Sequence, residues 1–325
     1  MPLLIDATKT VRAVTLYLGL ALGVAHAQTA PTTRILVGFP PGQATDSVAR
    51  LLSEKLSQSL GQTMIVDNRP GQGGSLALTQ LSRSPNDGSV ITLSALAAYA
   101  INPYLYKGIT YDSVRDFEPI SLVADLPMVL VVNPTLPVKT FKEFMAYATN
   151  NPDKLSHSSA GNGTVSHLAM EDLKARAGLK ILHVPYQGSP RAMTDLVAGT
   201  VQVGIDTLAV TKPLVKAGRL KMIAVGTKQR LPDFPDVPTV AESGFADFEA
   251  VAWIGLAAPA GTPRSLRERM QAEVAKTLQD PSMGLRLADL GAVPRPSSID
   301  EFGVFLRSEQ RRWKDVVTRS GVKVD

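Results

Sequence analysis

Beyond its first thirty or so residues, this chain repeats one unit: a short β-branched run, a Gly/Pro/Ser loop, then an amphipathic helical stretch. That is the rhythm of an α/β fold. A strand at residues 34–39 meets the loop 40–44, after which Val48, Leu51, Leu52, Leu56 and Leu60 recur at helical spacing, predicting a helix from near Thr45. A strand at 64–67 ends in the breaker-rich turn 68–74, followed by a helix over 76–83 and a strand over 90–93 that ends in Ser94. Two long apolar runs, 120–132 and 250–258, read as strands that cross between two domains. Between them lies a second αβ series, with strands expected at 155–159, 181–184, 201–205 and 220–225.

The expected architecture is therefore two αβ lobes joined by crossing strands, with a ligand cleft between them. Domain I is discontinuous, 34–125 plus 252–325, and domain II is the insertion 126–251. The tail is helical, with Leu266, Met270, Val274 and Leu278 on one face and Phe302, Phe305, Leu306 and Trp313 in a later helix, and should pack on domain I.

At the N-terminus, Lys9 and Arg12 precede an apolar run, 13–24, and then Ala25-His26-Ala27. The run is shorter than the ~20 residues of a membrane-spanning helix, and the small residues at 25 and 27 suit signal peptidase. Residues 1–27 are expected to be a signal peptide cleaved after Ala27, which places the mature chain in the periplasm. About 298 of the 325 residues remain, enough for two domains with full cores. There are no cysteines, so neither disulfides nor a lipid anchor on a cysteine is available, and a freely diffusing monomer is expected. The formal charge of +5 becomes +4 once Lys9, Arg12 and Asp6 leave. The remaining Lys and Arg are scattered, so no nucleic-acid partner is expected, and anions are steered only weakly.

In α/β sheets ligands bind beyond the carboxyl ends of the strands. Four loops qualify here: 40–45, with Pro40, Gly42, Gln43, Ala44 and Thr45; 94–98, with Ser94 and Ala95; 158–164; and 186–190. Glycines and hydroxyls stand directly ahead of a helix in the last two, where free N–H groups and the helix dipole can face an anion. Gly161 and Gly163 admit close backbone approach, with Ser159, Asn162 and Thr164 as hydrogen-bonding side chains. In the other loop Ser189 reads as an N-cap and Pro190 as the first helical residue, leaving Tyr186, Gln187 and Gly188 at the mouth. Asp206 and Thr207 end the next strand at the same sheet edge.

Enzyme signatures are missing. Residues 71–76 and 161–166 lack the third glycine of a dinucleotide fingerprint, there is no phosphate-loop lysine motif, and no Gly-x-Ser-x-Gly elbow occurs. His157, His167 and His183 have neither metal-helix spacing nor cysteine partners. No catalytic residue, metal or cofactor is expected; His167 reads as a packed or loop-facing histidine, and Asp46 as a complement to its own helix start.

Six ordered motifs stand out: residues 38–46 (GFPPGQATD), 68–71 (NRPG), 100–103 (AINP), 183–190 (HVPYQGSP), 235–244 (PDVPTVAESG) and 257–263 (AAPAGTP). Together they resemble the Bug family, the extracytoplasmic solute receptors of tripartite tricarboxylate transporters, from Arg34 to the C-terminus. The resemblance implies a type II periplasmic-binding-protein fold whose lobes close over a carboxylate-bearing ligand and deliver it to two membrane subunits. It also implies that Phe39 to Thr45, Ser159 to Thr164 and Tyr186 to Ser189 hold the ligand, partly through ordered water. Gln43 stands where the family often has a second glycine, and Gln187 where it often has Lys or Arg. The alternatives are a sensory receptor signalling to a membrane kinase, or a secreted enzyme with His167 as base and Asp206 as acid.

Overall fold

The computed structural model describes residues 31–322. The expected signal peptide, 1–27, lies outside the described residues. Strand β1 (Thr32–Val37) leads into helix α1 (Ala44–Leu60), β2 (Thr63–Asn68), α2 (Ser75–Leu81) and β3 (Val90–Ala95), then a helical turn, α3 (Asn102–Leu105), and the long strand β4 (Phe117–Val132). After α4 (Phe141–Asn150) come β5 (Leu155–Ser159), α5 (Val165–Ala177), β6 (Ile181–Pro185), α6 (Ser189–Ala198), β7 (Val203–Thr207), α7 (Leu208–Lys216) and β8 (Lys221–Val225). The chain returns through β9 (Val251–Pro259), α8 (Arg264–Gln279), α9 (Pro281–Asp289), the short β10 (Val293–Pro294) and α10 (Ile299–Ser320).

Every strand expected from the β-branched runs forms, shifted by a residue or two. The strands run in the order β2-β1-β3-β9-β4-β7-β5-β6, with β8 and β10 also on β4. β1 pairs in parallel with β2 and β3, and β5 in parallel with β6 and β7, so their carboxyl ends share an edge within each lobe. β4 joins the lobes. Up to Pro127 it pairs with β9, and from Met128 onward it pairs with β7 and β8. Of the two apolar runs, only β4 is bonded into both sheets; β9 begins at Val251, opposite Pro127, and stays with β3 and β4. Proline has no N–H to lose where β4 changes partners.

The tail packs as its apolar spacing requires. Met270, Val274 and Leu278 of α8 and Phe302, Leu306 and Trp313 of α10 are buried. α10 starts with a reciprocal cap, Ser298 Oγ accepting from Glu301 N–H and Glu301 Oε2 from Ser298 N–H. Beneath it Tyr99 stacks on Trp253 at 5.7 Å between ring centroids, with Phe117 and Phe302 edge-on to Tyr99. One buried carboxylate serves this cluster: Glu309 Oε2 accepts from Trp253 Nε1 at 2.9 Å and Trp313 Nε1 at 3.2 Å. Glu309→Ala leaves two buried indole donors without a partner, and a loss of about 2–4 kcal/mol in denaturant-melt stability is expected.

Candidate functional site

The first loop is shaped by Asp46. This buried carboxylate accepts from Gly42 N–H, from Arg50 Nε and from Asn68 Nδ2, while Asn68 also donates to Phe39 O, each at about 2.9–3.0 Å. Burial alone would raise the pKa of Asp46, but the bonds from Arg50, Gly42 and Asn68 outweigh it and hold the group below its ordinary value. Asp46 is thus occupied within its own lobe, and what the loop offers at its end is the start of α1. Ser47 N–H is the first amide to reach a helical carbonyl, that of Gln43, so the amides of Ala44 and Thr45 lie ahead of the helical ladder.

The loop after β5 is built on the same plan. Ala160 N–H donates to Ser166 Oγ, Gly161 N–H to Ser159 Oγ, and Gly163 N–H to His167 Nδ1. Thr164 Oγ1 caps α5 by accepting from His167 N–H, leaving the amides of Val165 and Ser166 ahead of the first helical bond, Leu168 N–H to Thr164 O. Gly161, at φ +132°, lies where a Cβ would meet Tyr186 O at 3.1 Å; a side chain fits neither the backbone nor the space.

The third loop differs from its sequence reading. Gly188, not Ser189, is the N-cap of α6, and Ser189 is already helical with Pro190 behind it. The cause is Asp206: buried at the end of β7, it accepts from Ser189 Oγ at 2.8 Å and from Thr207 N–H at 2.7 Å, so the serine hydroxyl turns to the carboxylate rather than to its own helix. Burial pushes Asp206 up to about 6 in spite of these bonds, and its Oδ2 has no protein partner among the described residues. Tyr186 donates its hydroxyl to Asp195 at 2.7 Å, so the ring faces the cleft while the hydroxyl is engaged; burial and Asp195 raise its pKa to about 12.

These loops enclose two adjoining spaces. An outer cleft of about 390 Å³ is lined by Phe39, Pro40, Gly161, Asn162, Tyr186, Gln187 and Gly188. An inner chamber of about 40 Å³ is lined by Phe39, Gln43, Ala44, Thr45, Ala95, Thr164 and Asp206. The chamber has room for two or three waters at about 10–15 Å³ each. Asp206 is the sole charged side chain among the lining residues of either space.

Four residues expected at the site line neither space. Gly42 is tied to Asp46; Ser94 is buried in β3 opposite Gly255; Ser159 and Gly163 are turned to His183 and His167. The turn at 70–73 and Tyr106 line the outer cleft, and Val165 and Ser166 the inner chamber, without having been singled out as site residues, while Thr207 lines the chamber beside Asp206 at the sheet edge where the sequence placed both. The breaker-rich turn was visible in sequence. Nothing local marks Tyr106, which donates across the cleft to Asn162 O at 2.9 Å.

Behind the β5 loop the three histidines meet. His183 stacks on His167 at 4.0 Å and on His157 at 4.7 Å between ring centroids. Glu171 accepts from His157 Nε2 at 3.1 Å and Lys174 Nζ at 2.7 Å. Donor atoms of His167, Glu171 and His183 lie within 4.8 Å of one another, a convergence that sequence spacing did not suggest. A metal sits in the plane of each ligating ring at about 2.0–2.1 Å. Two rings tilted only 10° apart and stacked face to face cannot share one, and the Lys174 ammonium already neutralises the carboxylate. The stack is packing that braces the loop. His167 and Asp206 have separate partners, and no contact between them occurs among the described residues.

Residues 48–322 match the family described as tripartite tricarboxylate transporter family receptor. The chain belongs to this family. It is 38% identical over 309 residues to a protein encoded in the tcbD-tcbE intergenic region of a Pseudomonas species, covering 91% of this chain and 92% of that one. Among solved structures, the periplasmic binding protein BugD is 33% identical with a TM-score of 0.86, over 90% of this chain and 98% of that one. A protein from R. palustris solved with adipate is 32% identical at TM-score 0.87 over the same shares, 90% and 98%. MatC from Rhodopseudomonas palustris, solved with bound malate, is 32% identical at 0.83 over 88% and 98%. The family and two-lobed fold implied by the ordered motifs are thus the ones found. No helix among the described residues is long and apolar enough to cross a membrane.

The histidine stack gives stability a defined pH dependence. Burial, chiefly, lowers His167 to about 4 and His183 to about 3, whereas in the unfolded chain each titrates near 6.5. The unfolded chain therefore binds protons first, so this stability is complete above pH 6.5 and is lost as pH falls from there toward 4. Asp206 has the opposite sign: its raised value lets the fold take up a proton first, returning some stability between about 6 and 3.8. Melting temperature is expected to fall on acidification below 6.5, and the fall should be shallower in His167→Gln. Equal slopes would remove the stack as the cause.

Proposed function

We propose that the chain is a periplasmic solute-binding protein that captures a small carboxylate and presents it to the membrane subunits of a tripartite tricarboxylate-type transporter. The observation that carries this reading is the convergence of helix starts from both lobes, α1 and α5, on a space lined by no lysine or arginine. Free amides at the positive ends of helices bind an anion without a dedicated cation. The adipate and malate bound by the two related proteins support a carboxylate here. One carboxylate is held at the amides of Ala44, Thr45, Val165 and Ser166, and the body of the ligand extends past Gly161, Asn162, Tyr186 and Gln187 into the outer cleft.

In this reading the lobes are 34–125 with 252–325, and 126–251, and they open and close about β4. Residues 1–27 direct export and are removed. Binding, not turnover, is the activity: the mechanism uses amides and shape, and assigns His167 to bracing and Asp206 to the α6 start.

The test is calorimetric titration of the purified protein with linear dicarboxylates, aromatic acids and amino acids, with each bound acid checked for conversion. A ligand at 100 times its dissociation constant should stabilise the fold by about 2.7 kcal/mol in a thermal melt. Gly161→Ala should weaken binding about tenfold or more, since the added methyl displaces the loop from Tyr186 O. Product formation would overturn the non-enzymatic reading, and undiminished binding by Gly161→Ala would remove the loop from the site.

A further inference from the structure

Gln43 is the N-cap of α1, with φ −81° and ψ 156°, yet its side chain makes no capping bond to its own helix. It is buried, and it crosses to the other lobe, where Oε1 accepts from Ser189 N–H at 3.4 Å. A backbone N–H can only donate, so this contact fixes the amide: oxygen on Ser189, with the NH2 group left as a donor. The approach is close. A Cβ on Gly188 would lie 2.9 Å from Gln43 Oε1 and 2.5 Å from Pro40 Cγ, and Gly188 has φ +105°. The first loop of one lobe is therefore seated on the bare backbone at the start of α6 in the other.

That seat is the one a second anionic group of a ligand would use. The donors of Gly188 and Ser189 are committed: Gly188 N–H to Ala160 O at 3.0 Å, Ser189 N–H to Gln43, and Ser189 Oγ to Asp206. Pro190 has no N–H. The outer cleft, into which the rest of a ligand must extend, is lined by the rings of Phe39, Tyr106 and Tyr186, by Pro40, Pro70 and Pro185 and by the neutral amides of Gln72, Asn162 and Gln187, with no charged side chain. A second carboxylate there would lose water without gaining an opposite charge.

We propose that Gln43 is a specificity-determining residue that occupies the α6 anion seat, so that the protein selects acids with one carboxylate and an uncharged apolar or aromatic body over the matching dicarboxylates. This rests on the carboxylate-binding function proposed above and narrows its substrate class. The polar end is held by the starts of α1 and α5, and the body lies against the aromatic and proline wall of the cleft.

The experiment compares matched pairs by calorimetry on the purified protein: benzoate with phthalate, and hexanoate with adipate. In each pair the single-carboxylate acid is expected to bind at least about tenfold tighter. Gln43→Ala, which vacates the seat and frees Ser189 N–H, is expected to reduce that preference several-fold, mainly by tighter dicarboxylate binding. Gln43→Gly is the second variant, and melts of the ligand-free proteins establish that each is folded. Dicarboxylates binding as well as or better than their partners, or a preference unchanged in both variants, would overturn the assignment of Gln43 while leaving the carboxylate-binding function intact. Failure of every acid to bind the unaltered protein would overturn that function and this inference with it.

Discussion

A strand in a dry core must find partners for its backbone on both sides, and β4 does so in two sheets in succession. Everything at the cleft follows from that requirement. Because the ladder passes from β9 to β7 and β8 between Pro127 and Met128, the parallel strands of the two lobes bring their carboxyl ends to one boundary. The loops that leave those ends then have no course except toward each other, and the helices they start point their free amides into the same space.

Much of this was legible in the chain. Period and apolar runs placed the strands because the central ones, β3, β4, β7 and β9, are buried on both faces over most of their length and leave little choice of residue. The loops were legible because glycine, proline and hydroxyl residues ahead of a helix have few other uses. What could not be read was set by distant partners. Ser189 has the chemistry of a cap and behaves as one in sequence, but Asp206, seventeen positions on, takes its hydroxyl. Tyr106 carries no local sign of its reach to Asn162. His167 was read as packed or loop-facing and is buried, but the stacking of the three histidines depends on β5 and β6 being neighbours at His157 and His183, a register that spacing along the chain does not encode.

The site is held by economical means. Buried acids shape it while making few demands on the ligand: Asp46 fastens the first loop within one lobe, and Asp206 fastens the start of α6 in the other. Glu171 keeps a histidine and a lysine together under the β5 loop, its own pKa lowered to about 2 because hydrogen bonds from His157 and Lys174 overcome the effect of burial. Asp46 and Glu171 are matched by local donors, Asp206 is matched at Oδ1 alone, and the outer cleft itself has no charged side chain.

The place of β9 has a consequence for how the chain becomes this structure. It is a central strand, between β3 and β4, yet it follows them by more than a hundred residues. Until it is inserted, β3 and β4 each present an unpaired edge, while β5 to β8 can already complete the other lobe from neighbouring chain. Such edges recruit other strands, and closing them late is a slow, non-local event. Completing the first lobe's sheet thus waits on residues 251–259 reaching a slot between two strands laid down far earlier in the chain.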